Sequence, residues 1–453
     1  MNFPQKIDFS LIKNENQDLY KEELSKVRIA FEGGVKLRDN LINFITKDDR
    51  ESFEAYTKRL ETANTKNYIY SSVKKKMSLL LKTEPKIRKA GVNKDKIDKF
   101  LYNVNGANKT FIQLVNEVIQ EVLVAGYAGV YVENSGGNPF LSIVKREDIV
   151  NIRTVEGKIE GVAFLKKVPK KEVPFPVLEE HFNNYLYLVF GKQVAVYLED
   201  SHSGDYFLEE EKEEEMCPLI LFGENVSIEA AIPPYNILEL SFNLIEIQTR
   251  KLKYANSMGI PYYIVKADDS QNEVKKALNS NQNAIKDAET LVLGLEENIQ
   301  IETLPEAPYN ALTNELKELK EDLKSEIYSF ITSKTMTAAE AKIRLQETSA
   351  ELKGFIQGLE DKFNEVLIVA TNIMFGHLAY TPKVSITFNK DLDSLITDLE
   401  AIELGIKLVD DNIISRATLR DNIKDTNILK IERENEDEER KIEEEMGMLA
   451  NSL

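Results

Sequence analysis

Reactive side chains are sparse and scattered along this chain. His181, His202 and His377 lie far apart in sequence, a distribution that suits ordinary structural or surface histidines better than a catalytic one. Cys217 is the single cysteine, which excludes an intrachain disulfide framework and a cysteine-rich zinc site and fits a reducing cytosol as the place of synthesis. Asp268-Asp269 and the many glutamates offer carboxylates, but at no spacing that selects a metal. There is no G-x-x-x-x-G-K-[ST] loop for nucleotide phosphates, no G-x-G-x-x-G and no H-E-x-x-H. No catalytic residue, metal ligand or cofactor is expected, and the chain is not read as an enzyme.

The most informative polar spacing is structural. In "SKTMTAAEAKIRLQETSAEL" (Ser333 to Leu352), Thr337 stands three residues before Glu340. The threonine hydroxyl accepts from the Glu340 N–H while the carboxylate reaches back to the Thr337 N–H, a capping box that starts a helix. Just before it, Thr332, Ser333, Lys334 and Thr335 compete with the helical backbone or favour solvent. A short polar loop therefore joins two helices.

Composition bounds what surrounds that loop. At 453 residues, 42% hydrophobic, the chain can bury a substantial core and should divide into two to four regions. Asp and Glu outnumber Lys and Arg 76 to 58, for a formal net charge of −18. That argues against a protein clinging to nucleic acid over its whole surface, though a weakly repulsive wall would let a polyanion slide. The first ten residues lack a signal-peptide apolar run, and the greasiest window, Val366 to Tyr380, is interrupted by Asn372 and His377. A soluble protein is expected, with no membrane partner.

The periodicities give the order of elements. Leu19 to Leu81 is mostly helical, stopped by Pro85, and Thr110 to Val124 is a second helical run. From 125 to 230 the period shortens to that of strands, with turns at Ser135 to Asn138, Glu156-Gly157 and Gly191-Lys192. Within it, the acidic run Glu209 to Glu215 reads as a solvated loop. After Pro233-Pro234 comes a helix over Tyr235 to Met258, ended by Gly259 and Pro261. A compact α/β insert follows: a strand at Tyr262 to Ala267, a helix near Gln271 to Ala284, and strands at Thr290 to Leu295 and Ile299 to Leu304. Leu312, Leu316, Leu319, Leu323, Ile327 and Phe330 then keep a narrow helical seam up to the polar loop. Beyond the loop, Thr337 to Phe375 is the longest helix, with Gly354 and Gly358 as bending points, followed by a strand at Val384 to Asn389 and terminal helices ending in the acidic run Glu432 to Glu445.

This order resembles the portal protein of tailed bacteriophages over roughly residues 50 to 445. "NILELSFNLIEIQTRKLKYANSMGIPYYIV" is similar to the family's first stem helix entering the clip, and "ETLVLGLEENIQIETLPE" to the strands leaving it. The second stem helix, tunnel loop and long kinked helix are matched by the stretch from Glu315 to Leu367, in which Thr337-Ala338-Ala339-Glu340 with Ser349 and Leu352 is most specific. "IISRATLRDNI" resembles the run ahead of an acidic crown, and "EVLVAGYAGVYVENSGGNPFLSIVKREDIVNI" the wing sheet.

The resemblance implies an α+β, mainly α, ring-forming portal fold. It places N-terminal helices and the wing sheet at 1–234, the first stem helix at 235–258, the clip at 259–304 and the second stem helix at 305–331. The tunnel loop would be 332–337, the long kinked helix and wing strand 338–393, and the crown helices 394–453. Ser333, Lys334, Thr335 and Met336 would face a DNA channel, with Thr337 and Glu340 capping the next helix and Tyr262, Lys266, Lys275 and Lys276 in the clip. The implied function is a conduit at one capsid vertex for packaging and ejecting viral DNA, made in the host cytoplasm. The implied partners are further copies of the chain, about twelve in a ring, and double-stranded DNA held without sequence preference. A terminase packaging motor, the major capsid protein and a head-completion or tail adaptor complete the set. The rival is a capsid-associated, coiled-coil scaffolding or structural protein without a channel, which gives no role to the insert between Gly259 and Leu304. A DNA-processing enzyme such as a nuclease would need a clustered carboxylate or histidine site.

Overall fold

The computed structural model describes residues 3–47, 51–63, 65–90, 94–170, 182–258, 262–266, 298–302, 306–327, 338–376 and 383–390. By contact the chain divides into two units: Met1–Leu79, Ile87–Ser329 and Asp361–Ser385 form the first, and Leu80–Lys86, Phe330–Glu360 and Ile386–Leu453 the second.

The chain opens with β1 (Lys6–Ile7), α1 (Gln17–Glu32), α2 (Gly34–Asp39), α3 (Phe53–Glu61), α4 (Tyr68–Leu80), β2 (Lys86–Ala90), α5 (Lys94–Tyr102) and α6 (Phe111–Ala125). Eight strands follow: β3 (Ala128–Ser135), β4 (Asn138–Lys145), β5 (Ile149–Val155), β6 (Lys158–Pro169), β7 (Phe182–Phe190), β8 (Gln193–Glu199), β9 (Tyr206–Glu213) and β10 (Leu219–Phe222). Then come α7 (Tyr235–Met258), β11 (Tyr262–Lys266), β12 (Asn298–Glu302), α8 (Glu306–Ile327), α9 (Ala338–Phe375) and β13 (Lys383–Thr387).

Most of the strands form two antiparallel sheets, one ordered β1-β9-β8-β7-β6-β5 and the other β10-β3-β4. The six-stranded sheet buries both faces, and period-two alternation sorts its residues between them. Val162, Phe164, Tyr187, Val189, Val194 and Val196 share a core with Tyr127, Tyr131 and Leu219. Their neighbours Ala163, Leu186, Leu188, Ala195 and Tyr197 turn the other way, onto Phe3 and Ile7. The N-terminal segment is thus a strap over the second face. It is held by hydrogen bonds from the Tyr197 hydroxyl to the Pro4 carbonyl (3.0 Å), from the Leu208 N–H to Gln5 (2.9 Å) and from the Asn151 amide to Ile12 (2.7 Å).

The expected turns are in place. Residues 136–137 close the β3–β4 hairpin, and Glu156-Gly157 closes β5–β6 with φ values of 50° and 75°, the left-handed pair that matches strand twist in a two-residue loop. The acidic run departs from its expected form. Residues up to Glu213 continue β9, in register with β8 from Gln193↔Glu213 to Glu199↔Tyr206. Hydrophobic patterning misses this strand because it lies near the sheet margin, where Glu209, Glu210, Glu211 and Glu213 keep their carboxylates in water while the backbone pairs.

α6 starts on a capping box, in which the Gln113 N–H donates to the Thr110 hydroxyl (3.2 Å) and the Thr110 N–H to the Gln113 side chain (2.9 Å). Phe111, Leu114, Val115, Val118, Ile119 and Val122 are all buried along it. Phe111 meets Phe363 edge-on at 6.1 Å, and Phe222 lies 4.5 Å from Phe363 on another side.

In the second unit, Ile356, Leu359, Ile386 and Phe388 are buried. Lys390 donates to Gln357 (2.5 Å) and to the Glu360 carboxylate (2.9 Å), and the Phe388 N–H donates to Glu360 (3.0 Å).

Candidate functional site

α7 and α8 form an antiparallel helical hairpin. Asn236 reaches Glu326 at 3.3 Å, and the Lys251 ammonium stands 4.7 Å over the Tyr309 ring, so the start of one helix lies beside the end of the other. Between them in sequence, β11 and β12 pair antiparallel from Tyr262↔Glu302 to Lys266↔Asn298. Tyr262 and Lys266 are therefore the first and last residues of a short strand following α7. Lys275 and Lys276 lie outside the described residues, as do the expected helix 271–284 and strand 290–295.

Ser333, Lys334, Thr335, Met336 and Thr337 also lie outside the described residues, while Glu340 stands in the first turn of α9. The expected C-terminal helices and their acidic run fall outside as well.

The helical hairpin is anchored at its α7 side. Ile237, Leu238, Phe242, Leu244, Ile245 and Ile247 are buried, and Phe242 stacks on Phe44 at 4.0 Å with 8° between the rings. Lys253 approaches Glu51 at 3.4 Å, and Glu51 is itself held by Arg59 at 2.8 Å with both side chains of that pair buried. Along α8, Leu316 and Leu323 are buried, whereas Leu312 and Leu319 are only half-buried. The seam is apolar over more of its length than α7 covers.

Two charged clusters fix the sheet region and went unseen in the sequence. The Arg146 guanidinium donates to the carbonyls of Ala125 (2.6 Å), Ile228 (2.9 Å) and Ala230 (2.5 Å), and it lies 4.8 Å over the Tyr127 ring. These carbonyls come from chain segments about 100 residues apart, so no local pattern announces them. The same junction needs Gly126, whose φ is +92° and whose added Cβ would stand 2.8 Å from the Ala231 carbonyl oxygen. Nearby, Arg28 of α1 pairs with Glu121 of α6 and with Glu147 (3.0 Å). Burial, and then the Glu147 charge, push the neighbouring Asp148 carboxyl up to about 6.

Among the described residues no three His, Cys, Asp or Glu side chains are placed to hold a metal. His202 sits exposed between β8 and β9, and burial pushes the Cys217 thiol up, away from the thiolate a nucleophile needs. No helix among the described residues is long and apolar enough to cross a membrane.

No protein-family model matches the chain, and no curated protein matches it. Solved structures do. The neck of an empty gene transfer agent (GTA) particle is 10% identical, with a TM-score of 0.37, covering 83% of this chain and 94% of its own. The virion of a native GTA particle is 10% identical with a TM-score of 0.35, over 86% of this chain and 99% of its own. An HK97-family phage portal protein from Corynebacterium diphtheriae is 11% identical with a TM-score of 0.31, over 73% and 93%. All three scores lie below 0.5, the range in which a likeness by itself settles neither fold nor function.

Proposed function

We propose that the chain is a portal subunit, closing into a ring at one capsid vertex and forming the channel through which viral DNA is packaged and ejected. The observation that carries the reading is the sequence of parts from α7 to α9: an antiparallel helical hairpin with a strand pair between its helices, followed by a 38-residue helix. In the portal arrangement these are stem, clip, stem, tunnel loop and kinked helix, with β3 to β10 as the wing.

Each part has a physical task. Ring closure needs a heterologous contact, one face of a subunit docking on a different face of the next, and the half-buried side of the α8 seam supplies apolar surface for it. The loop tip at Ser333, Lys334, Thr335 and Met336 faces the channel. Its polar groups touch phosphates without reading sequence, and the excess of acids elsewhere keeps the polyanion from sticking. The strand pair and the residues between its strands, Tyr262, Lys266, Lys275 and Lys276 among them, seat a separate motor. That motor supplies the energy, and the ring then seats a tail adaptor.

Electron microscopy of the purified full chain tests the reading directly. Rings with a central hole are expected, with a mass near 600 kDa for about twelve subunits. A monodisperse monomer or dimer at micromolar concentration by light scattering counts against it. Lys334→Glu tests the loop separately: ring assembly stays unchanged, because a loop tip contributes little to stability, while DNA packaging or retention falls as a circle of positive charges becomes negative. Rings of that variant that package and retain DNA like the parent remove the loop from the channel.

A further inference from the structure

The three-stranded sheet ends on β4, and the outer edge of that strand is open. β3 and β4 pair without a break from Ala128↔Lys145 to Ser135↔Asn138, with no bulge to twist the edge aside. Val132 lies opposite Leu141 but donates its N–H toward β10, to the Pro218 carbonyl (2.8 Å), and Leu141 donates away from β3, to the Val104 carbonyl (2.7 Å). The two make a non-hydrogen-bonded pair, and alternation turns the backbone of Ile143 and Lys145 outward as well. Among the described residues, the Leu141 C=O, the Ile143 N–H and C=O and the Lys145 N–H have no hydrogen bond.

Val104 thus takes the first position of a fourth strand and then leaves it. The Asn105 side chain accepts from the N–H groups of Ala107 (2.9 Å) and Lys109 (3.1 Å), which turns the chain back. A groove of about 730 Å³ continues from Asn105. It touches Phe140 and Ser142, on one face of β4, and Leu141 and Ile143, on the other, as a groove running along the edge of the strand must. α6 contributes Leu114 and Gln120 to its walls, and β6 contributes Lys166. The charges around it are settled within the chain: Lys109 pairs with Glu117 (2.6 Å), Arg28 with Glu121, and Lys166 with Glu133 (2.8 Å). What stays unmet is main-chain hydrogen bonding at strand spacing.

We propose that this edge takes an extended segment of a partner protein as a fourth strand, beginning where Val104 leaves off. Main-chain bonds to Leu141, Ile143 and Lys145 hold it. Alternation sets half of its side chains beside apolar Leu141 and Ile143 and the other half beside Ser142 and the Lys166–Glu133 pair, so a segment that alternates apolar and polar residues fits. With the charges already paired, the groove selects by backbone and shape. β4 of a second copy does not fit, because it carries its own α6 alongside and would set helix against helix. The proposal stands independently of the portal reading.

The test uses the full chain and an end-blocked octapeptide that alternates threonine with valine, with amide hydrogen exchange read residue by residue in a mass spectrometer. Saturating peptide slows the Ile143 and Lys145 amides at least about tenfold, while the Leu141 amide, already bonded to Val104, keeps its rate. Two further peptides are N-methylated, one on every threonine and the other on every valine. Only one of them loses the effect, because alternate amides face β4. Ile143→Pro removes the outward N–H at an edge position where proline is tolerated, and weakens the peptide several-fold. If that variant does not fold, the methylated pair carries the test on the unaltered chain. A parent peptide that slows neither amide, two methylated forms that act alike, or a folded Ile143→Pro variant that binds fully overturns the proposal. So does protection of Ile143 that rises with chain concentration before any peptide is added, which gives the edge to a second copy.

Discussion

α6 and α8 are both amphipathic in sequence, yet they meet different fates. Nine of the fifteen residues of α6 are buried, because α1 lies on one side of it and β3 and β4 on another. α8 is longer, at 22 residues, but among its described side chains only Leu316 and Leu323 are buried, both on the side that meets α7. A helix buries as many faces as it has neighbours, whatever its own pattern offers. α6 therefore belongs to the part of the molecule that one chain completes by itself, and α8 to a part whose apolar seam one chain leaves half covered.

Truncating side chains in the two helices sharpens that contrast. The largest effect is expected from Phe111→Ala, which deletes a fully buried ring at the start of α6 and leaves a cavity against Phe363. It should cost about 3–5 kcal/mol in denaturant unfolding. Arg146→Met comes next. It keeps much of the volume but strips the Ala125, Ile228 and Ala230 carbonyls of a charged donor, at about 2–4 kcal/mol on the same measurement. The smallest effect on unfolding belongs to Leu319→Ser in α8, under about 1 kcal/mol because the side chain is only half-buried. That last substitution should nevertheless reduce ring formation by size-exclusion chromatography and light scattering. Equal unfolding costs at Phe111 and Leu319 break the comparison, and an assembly that tolerates Leu319→Ser removes α8 from the subunit contact.

The sequence made local features legible and long-range ones invisible. Period-two alternation and the Gly-containing turns located the hairpins from β3 to β8, and helical spacing located α6, α7 and α9 to within a residue or two, as it did the start of α8. The acidic run was misread because charge was weighed above position, when a strand near the sheet margin pairs its backbone and wets its side chains at once. The strap from Phe3 to Ile12 was missed because it holds no regular element longer than three residues; it takes its shape from the sheet beneath it. Arg146 and Arg28 drew no notice in the sequence, since their partners come from segments that only the fold brings near. Of the proposed site, the sequence supplied the residues of the loop and the insert, and the described structure adds the register that puts Tyr262 and Lys266 at the two ends of β11.

The margins of the six-stranded sheet carry one more consequence. β5 departs from regular pairing between Ile149 and Asn151, and β9 carries an extra residue at Glu209 opposite the Val196/Tyr197 step. Bulges of this kind twist a strand out of line, so neither β5 at one margin nor β9, which the two-residue β1 covers only in part at the other, offers a straight row of free backbone groups to another sheet. Association through this sheet is thereby left to side chains, whose fit selects a particular partner and orientation. The choice of what it joins is then written in residues that substitution can change one at a time.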